Sequence, residues 1–369
     1  MNVSVPRCGS LQFMAKDVCE RLGIGYVEQP EYCLRTVELG VSVSPDSLCF
    51  PMKVMVGNAI EALESGADTL VMAAGGNACR YNYFADILRR ILEREGFRFT
   101  MVVFDAPGDS LADFYRNCRV LTRDTDAHVP GMVRAMALAV RKGWAYDEIR
   151  KYSIALRALE RVRGEVDRVA GESLAMLEDS RSRDEIEDCR RAIRDMFANV
   201  PVDERRPHVT VGIVGDIMTS VEPYFNFDIE RWLSDRGAVA ERPLYMSDLL
   251  NPSPRKRVCG RDDRDIASSA APYLCHEIGG HGQINVAAAA DYARRGFDAV
   301  VHFYAFTCLP EVIAKTVFTR ISDEMGMPIL SISVDEQTGR AGIQTRLEAF
   351  IDLVWSRKKR AAEPARLRT

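Results

Sequence analysis

The chain has 369 residues, of which 47% are hydrophobic and 28% charged, with a formal net charge of −4. That length fits two domains, or a duplicated domain with an insert, and the composition is that of a soluble globular protein. The balance of charge gives no electrostatic basis for nucleic acid or an anionic membrane surface, and no apolar run approaches the roughly 20 residues of a membrane span.

The opening MNVSVPRCGS has no apolar h-region, which predicts a cytoplasmic chain. In chain order, 3–6 reads as a short strand and 11–22 as a helix closed by Gly23-Ile24-Gly25. Tyr26-Val27 starts a second strand and Val41-Ser42-Val43 a third. After turn chemistry at 44–47, Cys49-Phe50-Pro51 opens a helix over 52–65. Strand 69–74, a turn at Cys79, helix 82–95 and strand 100–104 follow. Alternating β and α predicts an α/β fold with a mainly parallel sheet.

The segment 131–206 changes character. It is helix-forming and heavily charged, and its Glu/Arg pairs at i,i+3 and i,i+4 suit solvated helices joining two domains. Pro207 marks the next boundary. Strand 209–214 leads into Gly215-Asp216, without the Lys-Ser/Thr of a P-loop or a full dinucleotide fingerprint. A helix is expected over 226–235, a charged loop over 255–264, and a helix after Gly279-Gly280-His281-Gly282. Strand 299–304 runs to Cys308, and strand 328–333 to Asp335-Glu336-Gln337-Thr338-Gly339. A last helix over 343–354 precedes a basic tail, 356–369, expected to be disordered. The domains are thus 1–130, 131–206, 207–355 and the tail.

Two stretches repeat. Gly66-Ala67-Asp68 leads through a strand to Cys79 and an amphipathic helix, and Gly296-Phe297-Asp298 leads through a strand to Cys308 and another. The pattern predicts two copies of one α/β unit with a special turn at the same place, Cys49 corresponding to the Gly280-His281 turn.

Ten cysteines are spread over the chain with no C-x-x-C pair, which excludes zinc-finger and ferredoxin-type runs. Most, Cys8 and Cys189 among them, read as inert buried thiols in a reducing compartment. Cys49, Cys79 and Cys308 differ, because each stands just before a helix at the expected carboxyl edge of a sheet. A thiol there is close to amide donors and the positive end of a helix dipole. Three such thiolates could hold a [4Fe–4S] cube with one corner open. Three separate buried thiols fit the pattern as well, and so does a zinc site completed by His276 or His281. His281, between glycines, can bring its backbone close to a ligand. Lys53 is placed to reach a cluster sulfide or to face solvent, and Asp335 and Glu336 to pair with Arg346.

Five motifs in order add a resemblance. Cys49-Phe50-Pro51-Met52-Lys53, Gly75-Gly76-x-x-Cys79-Arg80-Tyr81, Gly279-Gly280-His281-Gly282, Phe306-Thr307-Cys308-Leu309-Pro310-Glu311 and the long run from Asp335 to Leu353 are similar to the activase-related relatives of the 2-hydroxyacyl-CoA dehydratase subunits. The chain resembles benzoyl-CoA reductase subunits and double-cubane iron–sulfur proteins more distantly. The likeness covers most of 1–120 and 207–355. It implies two flavodoxin-like domains with an iron–sulfur cluster, [4Fe–4S] or double-cubane [8Fe–9S], held by Cys49, Cys79 and Cys308. It also implies a homodimer or a heterodimer with a related subunit, and a separate ATP-dependent activase, itself an iron–sulfur homodimer, delivering low-potential electrons. The implied role is reduction or radical dehydration of a small substrate or acyl-CoA, with His281, Arg80 and Glu311 as catalytic candidates and Asn77 near the open corner. An electron-transfer carrier and a zinc-stabilised interaction protein are the alternative readings.

Overall fold

The computed structural model describes residues 1–73, 79–104, 110–249 and 263–362. Its first part runs β1 (Asn2–Ser4), α1 (Leu11–Leu22), β2 (Gly25–Tyr26), α2 (Leu34–Val43), α3 (Phe50–Glu64), β3 (Thr69–Ala73), α4 (Phe84–Arg94), β4 (Thr100–Phe104) and α5 (Leu111–Thr122). Three helices follow: α6 (Val129–Leu156), α7 (Glu165–Asp179) and α8 (Arg183–Ala198). The remainder begins with β5 (Val209–Gly215), the short helices α9 (Ile217–Val221), α10 (Pro223–Asn226) and α11 (Ile229–Ser234), and β6 (Ala238–Glu241). It continues through α12 (Met246–Leu249), α13 (Asp263–Ala270), α14 (Gly282–Arg294), β7 (Ala299–Ala305), α15 (Leu309–Met325), β8 (Ile329–Val334) and α16 (Arg340–Ala362).

The fold is α/β, with two four-stranded sheets that are parallel throughout. Their orders, β2-β1-β3-β4 and β6-β5-β7-β8, are the same order twice. The matched details are local as well. Asp68 accepts the Asn2 amide at 3.0 Å, and Asp298 accepts the Thr210 amide at 2.7 Å, so each Gly-x-Asp carboxylate pins the start of the sheet's first strand. Gly66 and Gly296 both take positive φ, 97° and 77°, at the helix exit before that aspartate. In both sheets the strand order reverses between the first strand and the next in the sheet, β1/β3 and β5/β7. Open α/β sheets place ligands outside the carboxyl ends at such a switch point.

The two halves share a core. Phe225 is buried between Tyr32 and Phe50, with ring centroids 4.9 and 5.5 Å away. Burying side chains of that size contributes roughly 1.5–3 kcal/mol each. Helix α6 serves both halves. Its Lys142 is buried and donates to Asp17 of α1 at 2.8 Å, while its Asp147 accepts from Ser10 at 3.2 Å and from the Ser247 amide at 2.9 Å. The charged helix pattern here therefore includes a face that carries buried, hydrogen-bonded ions as well as one facing solvent.

Three sequence expectations need correction, and one strand was missed. Val41-Ser42-Val43 lies at the end of α2 and not in a strand, because Gly40 and Gly57 let α2 lie directly on α3 and burial overrides the β-branched preference. The helix expected over 226–235 is broken into α10 and α11, since Phe227 and Asp228 both take positive φ. β6 was hidden by its shortness. The final helix runs on to Ala362, well into the tail expected to be disordered. Gly75, Gly76, Asn77, the charged loop up to residue 262 and residues 363–369 lie outside the described residues. No helix among the described residues is long and apolar enough to cross a membrane.

Candidate functional site

Each cysteine of interest begins a helical segment just past a strand or turn, as a backbone consequence of its position. Cys49 caps α3, Cys308 caps α15, and Cys79 precedes a short 3₁₀ turn at Arg80–Tyr83 that runs into α4. Pro51 and Pro310 sit within the first helical turns, where a missing N–H costs nothing. All three cysteines are half-buried. The turns of the first half meet those of the second across the interface. Cys49 lies within the electrostatic reach of both Cys79 and Cys308.

Burial raises the Cys49 thiol to about 11. Burial also pushes Cys308 up, with Asp216 and Glu311 adding to it. The amides of Met52 and Glu311 at the helix starts pull the other way, yet neither sulfur makes a full capping hydrogen bond. Arg80 offsets the rise only in part at Cys49, so both stay protonated thiols at neutral pH. A metal would reverse that balance by replacing the proton.

Three bridges hold the halves together around these turns. Arg80 donates from Nη1 to the Ser47 carbonyl at 2.7 Å and from Nη2 to the Thr307 carbonyl. Lys53, one turn into α3, is buried and pairs with Glu336 at 2.7 Å. The Gly9 amide donates to Glu222 at 2.6 Å. Lys53 thus does not face solvent, and its ammonium is held by Glu336. Glu336 pairs with it rather than with Arg346, whose guanidinium binds the Ser331 carbonyl.

Behind Cys308 lies a sealed polar cluster. Glu311 is fully buried and receives the Asn285 amide at 2.9 and 3.1 Å and the His302 Nε2 at 3.0 Å. Asn285 also donates to the Gly215 carbonyl, and its own Oδ1 is buried without a hydrogen-bond partner among the described residues. His281 caps α14, and burial pushes its imidazole down while Glu311 opposes the shift. Gly280 and Gly282 press on Pro310, so the glycine-rich turn lies directly against the start of α15. The Thr307 hydroxyl, beside Cys308, is likewise buried without a hydrogen-bond partner among the described residues, and Thr307 holds a φ of 64°.

The structure brings Cys49, Cys79, Cys308, Arg80, His281 and Glu311 to the facing carboxyl edges, while His276 is exposed. It adds two residues the sequence reading missed. Asp216, buried at the end of β5, accepts the Thr219 amide at 3.0 Å and the Ala305 amide at 2.9 Å, tying the ends of β5 and β7 together. Cys8 lies in its field and in that of Glu222 and Asp147, and Tyr81 lies in the field of both Cys8 and Cys79. Cys8 is itself buried, packed with Met14, Ala139 and Met246. The link between them is the repeat, because Cys8 and Asp216 each lie six residues beyond Asn2 and Thr210, the strand residues that bind the two Gly-x-Asp carboxylates.

Among the described residues, no three His, Cys, Asp or Glu side chains converge on one point suited to a single metal ion. A mononuclear zinc site is thus not formed by these side chains as they stand. The three thiols stand on two facing edges, with the helix-start amides of Met52 and Glu311 and the Arg80 guanidinium as the donors beside them. No family model matches the chain, and no curated protein matches it.

Proposed function

We propose that the chain is an iron–sulfur protein in which Cys49, Cys79 and Cys308 hold a [4Fe–4S] or double-cubane cluster between two α/β domains. The observation that carries this reading is the convergence of three thiol-bearing turns, from both halves of a duplicated fold, at adjoining switch points. When bound, such a cluster supplies low-potential electrons. The protein's own residues do the rest. Arg80 fixes the turns, Glu311 holds His302 and Asn285, and the glycine-rich turn at His281 leaves backbone close to any ligand. The electrons come from a separate ATP-dependent activase, and the chain works as a homodimer or with a related subunit on reduction or dehydration of a small substrate.

A carrier role is the second reading, and one observation favours it. Phe306 and Leu309, on either side of the Cys308 turn, are 57% and 63% exposed, which suits contact with a redox partner. Anaerobic reconstitution with iron and sulfide, followed by EPR after reduction with titanium(III) citrate, tests the common claim. A cluster signal that also appears with an ATP-hydrolysing iron–sulfur reductase supports the reading. Protein that takes up no iron and shows no signal contradicts it. Turnover of candidate acyl-CoA or small reducible substrates separates enzyme from carrier.

A further inference from the structure

Arg80 is the residue in which the three cysteine turns meet. It follows Cys79 directly, its Nη1 holds the carbonyl two residues before Cys49, and its Nη2 holds the carbonyl one residue before Cys308. Thr307, which offers the last of these carbonyls, is a β-branched residue at positive φ. Such a conformation persists only where its surroundings hold it. The two carbonyls belong to opposite halves of the chain, and each takes its own N–H from one planar fork.

We infer that Arg80 is a positioning residue, which locks the Cys49 and Cys308 turns in register across the interface between the two halves. The role calls for a guanidinium, because an ammonium on a flexible stem acts as a point charge and cannot span two fixed acceptors in one plane. The inference deepens the proposed function. It rests on the three turns forming one site and not on the group that fills it.

The test uses the full chain, metal-free and anaerobic, with a short bismaleimide and peptide mapping of the Cys49–Cys308 cross-link. The cross-linking rate is divided by the rate of single modification of Cys49, so that a lost positive charge is not read as lost position. Wild-type protein should form the cross-link. Arg80→Ala should form it about ten-fold more slowly, in line with the loss of two charge-assisted hydrogen bonds. Arg80→Lys should fall between them, and Arg89→Ala, an exposed neighbour on the same segment, should match wild type. Circular dichroism shows whether each variant is folded, and if Arg80→Ala is not, Arg80→Lys decides. A normalised rate in the deciding variant equal to wild type overturns the inference, as does a wild-type protein that forms no cross-link. Neither reading depends on iron content, so a failure of the cluster proposal leaves this result interpretable.

Discussion

Cys8 and Asp216 hold the same place in the two halves of the chain. Each lies six residues beyond the strand residue whose amide binds the Gly-x-Asp carboxylate, Asn2 in one half and Thr210 in the other. The repeat likewise pairs Cys49 with His281, as helix caps, and Cys79 with Cys308. The first half thus offers three thiols where the second offers a carboxylate, an imidazole and a thiol. That asymmetry yields one prediction. Burial raises the Cys8 thiol, and Glu222, Asp216 and Asp147 add to the rise while Arg242 opposes it. Making the halves alike with Cys8→Asp would bury another anion among them. It should cost at least about 3 kcal/mol in urea unfolding, against about 1 kcal/mol for Cys8→Ala. Equal losses for the two variants would show that the carboxylates do not act on this position.

The repeat and the three cysteine turns were legible because they rest on local rules. Gly-x-Asp, the prolines after Cys49 and Cys308, and apolar strands all announce themselves within a dozen residues. What was not legible depended on contacts far apart in the chain. Val41 to Val43 looked like a strand because nothing in that run shows that Gly40 faces Lys53 across two helices. The reach of Arg80 to Thr307 spans more than two hundred residues, so no spacing could reveal it. Cys8 was passed over as a buried thiol because its significance appears only when the two first strands are superposed.

The helix that begins at Cys49 is placed by two glycines. A Cβ at Gly57 would come within 1.9 Å of the Thr36 carbonyl, and one at Gly40 within 1.9 Å of the Lys53 carbonyl. Backbone atoms cannot step aside as a flexible side chain can. Gly57→Ala and Gly40→Ala should each destabilise by about 3 kcal/mol or more, the upper range for overpacking. Gly171→Ala, which meets nothing within 4 Å, should be neutral or stabilising. Chemical denaturation of the three variants checks the contrast.

Glu311 is a buried carboxylate held by His302 and Asn285. Replacement by Gln leaves the size unchanged but sets an amide donor among existing donors. The loss should be about 1–3 kcal/mol, the cost of leaving buried polar groups unsatisfied. Glu324→Gln, at an exposed i,i+4 pair with Arg320, should change stability by less than about 0.5 kcal/mol. Similar denaturation midpoints for the two variants would contradict the sealed-cluster description.

Glu222 gives a pH dependence with a defined sign. Burial raises its carboxyl above the ordinary 4.5, and the Gly9 amide and Arg7 only partly offset this. The folded state therefore holds the proton more tightly than the unfolded chain does. Below the unfolded value both states are protonated and burial of the charge costs nothing. As pH rises through the raised folded value, the cost appears and then persists. This residue's contribution to stability is thus most favourable on the acid side and falls towards neutrality. Glu222→Gln keeps an acceptor for Gly9 and should flatten the change of thermal midpoint between mildly acid and neutral pH. An unaltered slope would remove Glu222 as its source.

Iron and acid-labile sulfide per chain after anaerobic reconstitution bear most directly on the central proposal, measured for wild type and for Cys49→Ser, Cys79→Ser, Cys308→Ser and Cys189→Ser. Cys189 is the proper control, since it packs among the helices α6 to α8 and away from the facing sheet edges. Wild type and Cys189→Ser should each retain about four iron atoms, or about twice that for a double-cubane cluster, and the other three variants should lose most of theirs. Equal iron in all five proteins would contradict the account.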